Sequence, residues 1–251
     1  MYKIEAGTAQ HVGNRPRQND RAALLTTPTA PGCVLAVVGD GGAANALGAE
    51  QLLHTAKQLF DDYRMGDAPG VERIADLLRA IARETHDVLL MNPLSAGHGA
   101  QSAMALLVLT PARQAVWATV GDTRLYRFAN GAPAARSDDA AYIDHLVTAD
   151  GLAPDVARRH RASRLLNNVL GNPLKPPFIC IGTHENLQPG DAFLLCTDGV
   201  WPWFADNELA AAVSRRTPRQ AAGLLVEKAR ERAQGQGDNC TMAIVRLVAP
   251  A

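Results

Sequence analysis

The chain has 251 residues, 47% of them apolar and 20% charged, which is enough to bury a sizeable core and excludes a disordered composition. Lys and Arg total 25 and Asp and Glu total 25, so the formal net charge is zero, which argues against a general nucleic-acid binder. No stretch approaches 18 apolar residues and "MYKIEAGTAQ" lacks a signal-like apolar run, so a soluble, cytoplasmic protein with no membrane association is expected.

In chain order, "CVLAVVGD" (33–40) reads as an apolar strand ending in Asp40-Gly41. Two helical patterns follow. In "GAEQLLHTAKQLFDDYR" (48–64), Leu52, Leu53, Ala56, Leu59 and Phe60 recur at helical spacing; in "VERIADLLRAIARETHDVLLM" (71–91), Ile74, Leu77, Leu78 and Ile81 do so. "SAMALLVLT" (102–110) is a further strand. "AVWATVGDTRLYRF" (115–128) reads as two strands joined by a tight Gly121-Asp122 turn, a hairpin signal. The stretch 130–177 is polar, proline-containing and irregular, and reads as an inserted surface subregion within one domain spanning 1–251. "FICIGTHE" (178–185), "AFLLCTDG" (192–199) and "NCTMAIVRLV" (239–248) are strands. "DNELAAAVSRR" (206–216) and "TPRQAAGLLVEKARERA" (217–233) are helices, the second with Thr217 as N-cap and Pro218 at its first position. Strands that follow one another without intervening helices favour antiparallel pairing, and the pattern as a whole reads as an α+β sandwich whose helices cover antiparallel sheets.

The four cysteines, Cys33, Cys180, Cys196 and Cys240, sit in or beside these apolar runs without CxxC or metal-ligand spacing, and read as reduced core residues. The carboxylates are more informative. Asp40-Gly41, Gly121-Asp122 and Asp198-Gly199 fall at strand ends, and Asp238 stands just ahead of the last strand. A lone Asp-Gly is most simply a turn. A carboxylate at a strand end, however, is held by a rigid sheet yet reaches solvent, and a neighbouring glycine lets a ligand approach the backbone. Several such acids converging would repel unless protonated or neutralised by a cation, and carboxylate, carbonyl and water ligands suit Mg²⁺ or Mn²⁺. Asp20, Asp40, Asp198 and Asp238 are the candidates, with Gly41 offering its carbonyl.

Five segments, in order, resemble the metal-dependent serine/threonine phosphatases of type 2C, particularly single-domain bacterial members. "RPRQND" (15–20) resembles that family's R-x-x-N-(E/Q)-D. "VVGDGGAANALGAE" is similar to V-A-D-G-M-G-G-x-x-x-G-E, "ATVGDTRLYR" to V-G-D-S-R-x-Y, "LLCTDGVW" to L-x-(C/S)-S-D-G and "GDNCTMAIV" to D-N-(I/M)-(S/T)-x-(V/I). The resemblance implies a four-layer α-β-β-α sandwich and a phosphoserine/phosphothreonine hydrolase that activates water with two metals. It implies that Asp40 bridges the two ions, that the Gly41 carbonyl and Asp20 support one, and that Asp198 and Asp238 hold the other. Asp122 matches the carboxylate of a third, weaker site. Arg15 matches the arginine that binds the phosphoryl group, completing a catalytic set of Arg15, Asp40 and Asp198. The expected partner is a phosphorylated protein linked to a cognate serine/threonine kinase, and a monomer is expected. The alternative is a phosphatase-like regulatory or binding module with weak or no activity.

This sequence departs from the family at several points. Gln18 and Asn19 occupy the usual Asn and Glu/Gln positions, "DGGAAN" replaces "DGMGG", and "GAQSAMALLV" lacks the usual Gly-Thr-Thr. Asp144-His145 is displaced from the family's Asp-His and takes no role. His54 and His86, within predicted helices, read as packing or surface residues, as do Trp201 and Trp203 at the strand exit. The basic cluster 158–164 reads as a solvated face.

Overall fold

The computed structural model describes residues 2–64, 70–92, 99–137, 146–148, 151, 153, 156 and 168–250. Asp144-His145 and the basic cluster 158–164 therefore lie outside the described residues. Among the described residues, ten strands form two five-stranded sheets. One has the order β1 (Lys3–His11), β10 (Cys240–Val248), β9 (Ala192–Cys196), β6 (Arg124–Ala129), β7 (Ala132–Arg136). The other has the order β2 (Arg21–Leu25), β3 (Val34–Gly41), β4 (Ser102–Leu109), β5 (Gln114–Val120), β8 (Cys180–Glu185). Every neighbouring pair in both sheets is antiparallel.

The period-two alternation of the inner strands builds the layers. Along β3, Leu35 and Val37 face a cluster that includes Leu52, Phe60, Leu78 and Ile81, from α1 (Leu47–Asp62) and α2 (Val71–Met91). Ala36 and Val38 turn the other way, into a cluster shared with Phe193, Leu195 and Val245 of the facing sheet. On β10, Met242 and Ile244 meet α3 (Asp206–Arg215) and α4 (Pro218–Ala233) through Leu209, Val213 and Leu225. Two helices, sheet, sheet, two helices: the α-β-β-α order follows from which face of each strand is apolar. Strands buried on both faces read as unbroken apolar runs, which is why all eight residues of β4 are buried. The predicted cap of α4 is present: the Thr217 hydroxyl accepts from the Gln220 N–H at 3.4 Å and Gln220 Oε1 accepts from the Thr217 N–H at 3.3 Å.

The predicted hairpin at 115–128 is not formed. β5 pairs with β4 and β8, whereas β6 pairs with β7 and β9, so residues 121–123 carry the chain from one sheet to the other. Sequence fixes the tightness of this turn but not whether its flanking strands hydrogen-bond to each other, because local pattern does not say which strand is whose neighbour. Gly121 has φ +84°, and a Cβ there would stand 2.6 Å from the Ala103 Cβ, so the crossing requires glycine.

Candidate active site

The strand ends converge on one cavity of about 730 Å³ at the edge of the sandwich. Asp40 ends β3, opposite Ala103 of β4. Asp198 stands two residues beyond β9, Asp238 two residues before β10, and Asp20 immediately before β2. Asp122 rides on the crossover between the sheets, and Arg15 on the loop between β1 and β2. All six, with Gly41, Asn19 and Asn239, line the cavity. The structure thus brings together every residue singled out from the sequence as a catalytic or ligating candidate.

The Asp-Gly pairs have a steric cause. A Cβ on Gly199 would lie 2.0 Å from the Asn239 carbonyl oxygen, and one on Gly41 would lie 2.3 Å from that of Asn19. Each glycine lets a neighbouring backbone close against the strand end, so the acid beside it is fixed by two chain segments instead of one.

Burial, and after it the crowding of like charges, raises the carboxyls. Burial, and then repulsion from Asp20, Asp198, Asp122 and Asp238, pushes Asp40 well above the ordinary carboxylate range. Burial lifts Asp198 to about 7, with Asp122 and Asp238 adding to the rise and Arg15 opposing it. Asp20 also reaches about 7 through burial, although the Thr197 hydroxyl donates to its Oδ2 at 2.9 Å. Arg15 holds Asp238 with a two-point fork, Nε to Oδ1 at 2.8 Å and Nη2 to Oδ2 at 2.5 Å. Among the described residues, no three His, Cys, Asp or Glu side chains are gathered into a ready-made cage. The acids ring the cavity, with Asp20 turned to Thr197 and Asp238 to Arg15. An all-oxygen set whose members resist ionising together fits hard divalent cations, which would remove the repulsion without adding bulk.

The neighbouring residues are structural. Asn19 donates from Nδ2 to the Gly42 carbonyl at 3.0 Å, and the Asp20 N–H donates to Gln18 Oε1 at 3.2 Å, so both departures from the family pattern hold backbone. Trp201 Nε1 donates to the Asp122 carbonyl at 3.0 Å, and the Arg124 guanidinium lies 3.5 Å over its ring. Trp203 packs against the cluster under α3 and α4. Packing, as expected from the sequence, is therefore what both tryptophans do. His86 accepts from the Gly171 N–H at 3.1 Å within the core, and His54 is exposed on α1. Cys33, Cys196 and Cys240 are buried thiols outside any disulfide, and burial pushes the Cys33 and Cys240 thiols up to about 11. Two site residues were not singled out from sequence: Thr197, adjacent to Asp198, and Asn239, adjacent to Asp238. Both stand inside the matched motifs, Thr197 before Asp198-Gly199 and Asn239 after Asp238, and each is a polar side chain at the buried end of an apolar strand.

Two facing antiparallel sheets with paired outer helices, and acids from strand ends around one edge cavity, define the fold class of the bacterial serine/threonine phosphatases. The solved structures with this fold include the serine/threonine phosphatase of S. agalactiae, at TM-score 0.76 and 20% identity over 99% of this chain and 100% of that one. PppA, a regulatory component of the T6SS in Pseudomonas aeruginosa, superposes at TM-score 0.72 and 24% identity, covering 97% of each chain. The catalytic domain of PstP in complex with two manganese ions superposes at TM-score 0.67 and 19% identity, covering 99% and 100%. In sequence, the chain is 24% identical to the serine/threonine protein phosphatase PstP of Mycobacterium tuberculosis over 220 residues. That alignment takes in 86% of this chain but 41% of PstP, so the chain spans about two-fifths of that relative's length. No family model matches the chain. The resemblance read from the five motifs and the predicted sandwich are both borne out at the level of fold.

Proposed function

We propose that the chain is a metal-dependent phosphatase acting on phosphoserine and phosphothreonine in proteins. The observation that carries this reading is the convergence of Asp20, Asp40, Asp122, Asp198 and Asp238 with Arg15 on one cavity. Asp40, whose carboxyl is repelled by all four other acids, would help to hold both ions. Asp20 and the Gly41 carbonyl would support one of them, Asp198 and Asp238 the other, and Asp122 with Asp198 a third, weaker one. Mg²⁺ or Mn²⁺ suits this donor set and, when bound, supplies Lewis acidity and acidifies water near neutral pH. The relatives, serine/threonine phosphatases and one complex with manganese, support the substrate class and the metal.

The chain's own groups do the rest. The guanidinium of Arg15 is planar and matches two phosphoryl oxygens as it now matches the two oxygens of Asp238. Arg15 and a bound cation would draw on the same carboxylate, so with Asp238 helping to hold an ion the fork of Arg15 would be free for a phosphoryl group. Glycines 41 and 42 in the cavity wall leave room for a phosphorylated side chain to reach the acids. A kinase-linked phosphoprotein substrate, a monomeric state and a cytoplasmic location complete the reading. Among the described residues, no helix is long and apolar enough to cross a membrane.

Hydrolysis of a phosphothreonine peptide and of p-nitrophenyl phosphate, with Mn²⁺ or with chelator, tests this for wild type and Asp198→Asn. The expected result is metal-dependent turnover that falls by more than about 10²-fold in the variant. Metal-independent turnover, or an unimpaired variant, would sink the mechanism. Bound Mn²⁺ without turnover of any phosphopeptide would instead favour a binding or regulatory module.

A further inference from the structure

The pairing of β1 with β10 ends at His11 and Cys240. Beyond that point the loop 12–19, which carries Arg15 and leads to Asp20, is no longer held by the sheet. It is stitched instead to the segment 237–239. The Asn14 N–H donates to the Gly237 carbonyl at 2.9 Å, and the Gly237 N–H returns a bond to Asn14 Oδ1 at 3.2 Å. One side chain, that of Asn239, then supplies three bonds. Its Oδ1 accepts from the Asn19 N–H at 2.7 Å, and its Nδ2 donates to the carbonyls of Val12 at 2.8 Å and Arg17 at 2.9 Å.

These contacts are specific in kind. An amide offers one acceptor and two N–H groups, and here the acceptor and both donor directions are directed to a single loop. Val12 and Arg17 bracket Arg15, and Asn19 precedes Asp20. Asn239 is only 5% exposed, its own N–H donates to Asp238 Oδ1 at 2.8 Å, and its carbonyl is the group against which Gly199 packs. It therefore touches the segments bearing Arg15, Asp20, Asp198 and Asp238 at once. An aspartate would keep the acceptor but face two carbonyl oxygens with no proton to offer, and alanine would leave three backbone groups without their partner.

We propose that Asn239 is a positioning residue for phosphoryl recognition: its side-chain amide pins the loop 12–19 so that Arg15 is presented to the cavity beside Asp238. The proposal rests on the phosphatase reading for the identity of the anion. It differs from a purely structural role in one respect: the loss on mutation must pass through Arg15.

The test uses the full chain loaded with Mn²⁺ and inorganic phosphate as the probe, measured by calorimetry for wild type, Asn239→Ala, Arg15→Ala and the double variant. Turnover of p-nitrophenyl phosphate and hydrogen exchange over residues 12–19 accompany it. Asn239→Ala is expected to weaken phosphate by about 10- to 100-fold, raise KM more than it lowers kcat, and speed exchange in the loop. In the Arg15→Ala background the same substitution is expected to leave phosphate affinity unchanged. If Asn239→Ala does not fold, Asn239→Asp serves. Its added charge acts in both backgrounds, so the difference between backgrounds still isolates the effect through Arg15. Additive losses, or an unchanged phosphate affinity with only a smaller active fraction, would overturn the proposal. Phosphate binding that depends on Asn239 and Arg15 without turnover would overturn the phosphatase reading and leave the positioning role standing. Failure of the wild type to bind phosphate at all would overturn both.

Discussion

Trp201 shows how one side chain can serve two roles that are easily confused. Set just beyond Asp198, it looks like a platform for substrate. In the fold its indole N–H instead reaches the carbonyl of Asp122, and Arg124 lies over its ring. It therefore links the exit of β9 to the crossover between the sheets, holding two cavity carboxylates at a set separation. Trp201→Phe keeps an aromatic face for Arg124 while deleting the indole N–H and some of the ring's bulk. The expected cost is about 1 kcal/mol, a lowering of Tm by roughly 2–4 °C in thermal unfolding, without loss of the fold. A substrate platform would behave differently, with an unchanged Tm and a raised KM for peptide.

At the scale of strands and helices, the acids at the ends of β3 and β9 and at the starts of β2 and β10 act as one titrating unit. Asp20 and Asp198 move from the ordinary carboxyl value near 4 in the unfolded chain to about 7 in the fold. Between those limits the folded chain binds more protons than the unfolded one, so the metal-free protein loses stability as pH rises from about 4 through about 7. Cations favour the ionised carboxylates and reverse that loss. The Tm gained on adding Mn²⁺ is therefore expected to be small near about pH 5.5 and larger near about pH 8, with proton release on binding. A gain independent of pH would place the metal elsewhere. Most of this machinery was legible in the sequence, because β3, β4, β9 and β10 are buried on both faces and read as apolar runs, and their acids interrupt those runs abruptly. β1, β2 and β7 carried no such signal. β7 is an edge strand exposed at all five positions, and β1 shows a mixed pattern with one buried residue in nine. The crossover after β5 and the three bonds of Asn239 were hidden for a related reason. Both depend on which segments meet in space, and local periodicity is silent on that.

Taken whole, the molecule is neutral, yet its carboxylates are concentrated on one cavity where Arg15 is already committed to Asp238. In the proposed phosphatase the field of such a site would draw cations first, and a phosphate monoester would become an attractive ligand only after they arrive. The order of loading is thus set by the distribution of charge and not by its total. The pairing of the first strand with the last has a different consequence. Lys3 lies opposite Val248, so residues far apart along the backbone are neighbours across a ladder nine pairs long. The fold depends on that adjacency and not on the order in which the polypeptide is threaded. A circular permutant that joins the two ends by a short flexible linker and opens at the Asn130-Gly131 turn between β6 and β7 is expected to fold, losing no more than about 10 °C in Tm, and to retain Mn²⁺ binding. Failure of that permutant to fold in circular dichroism would show that the sandwich requires the unbroken β6–β7 connection.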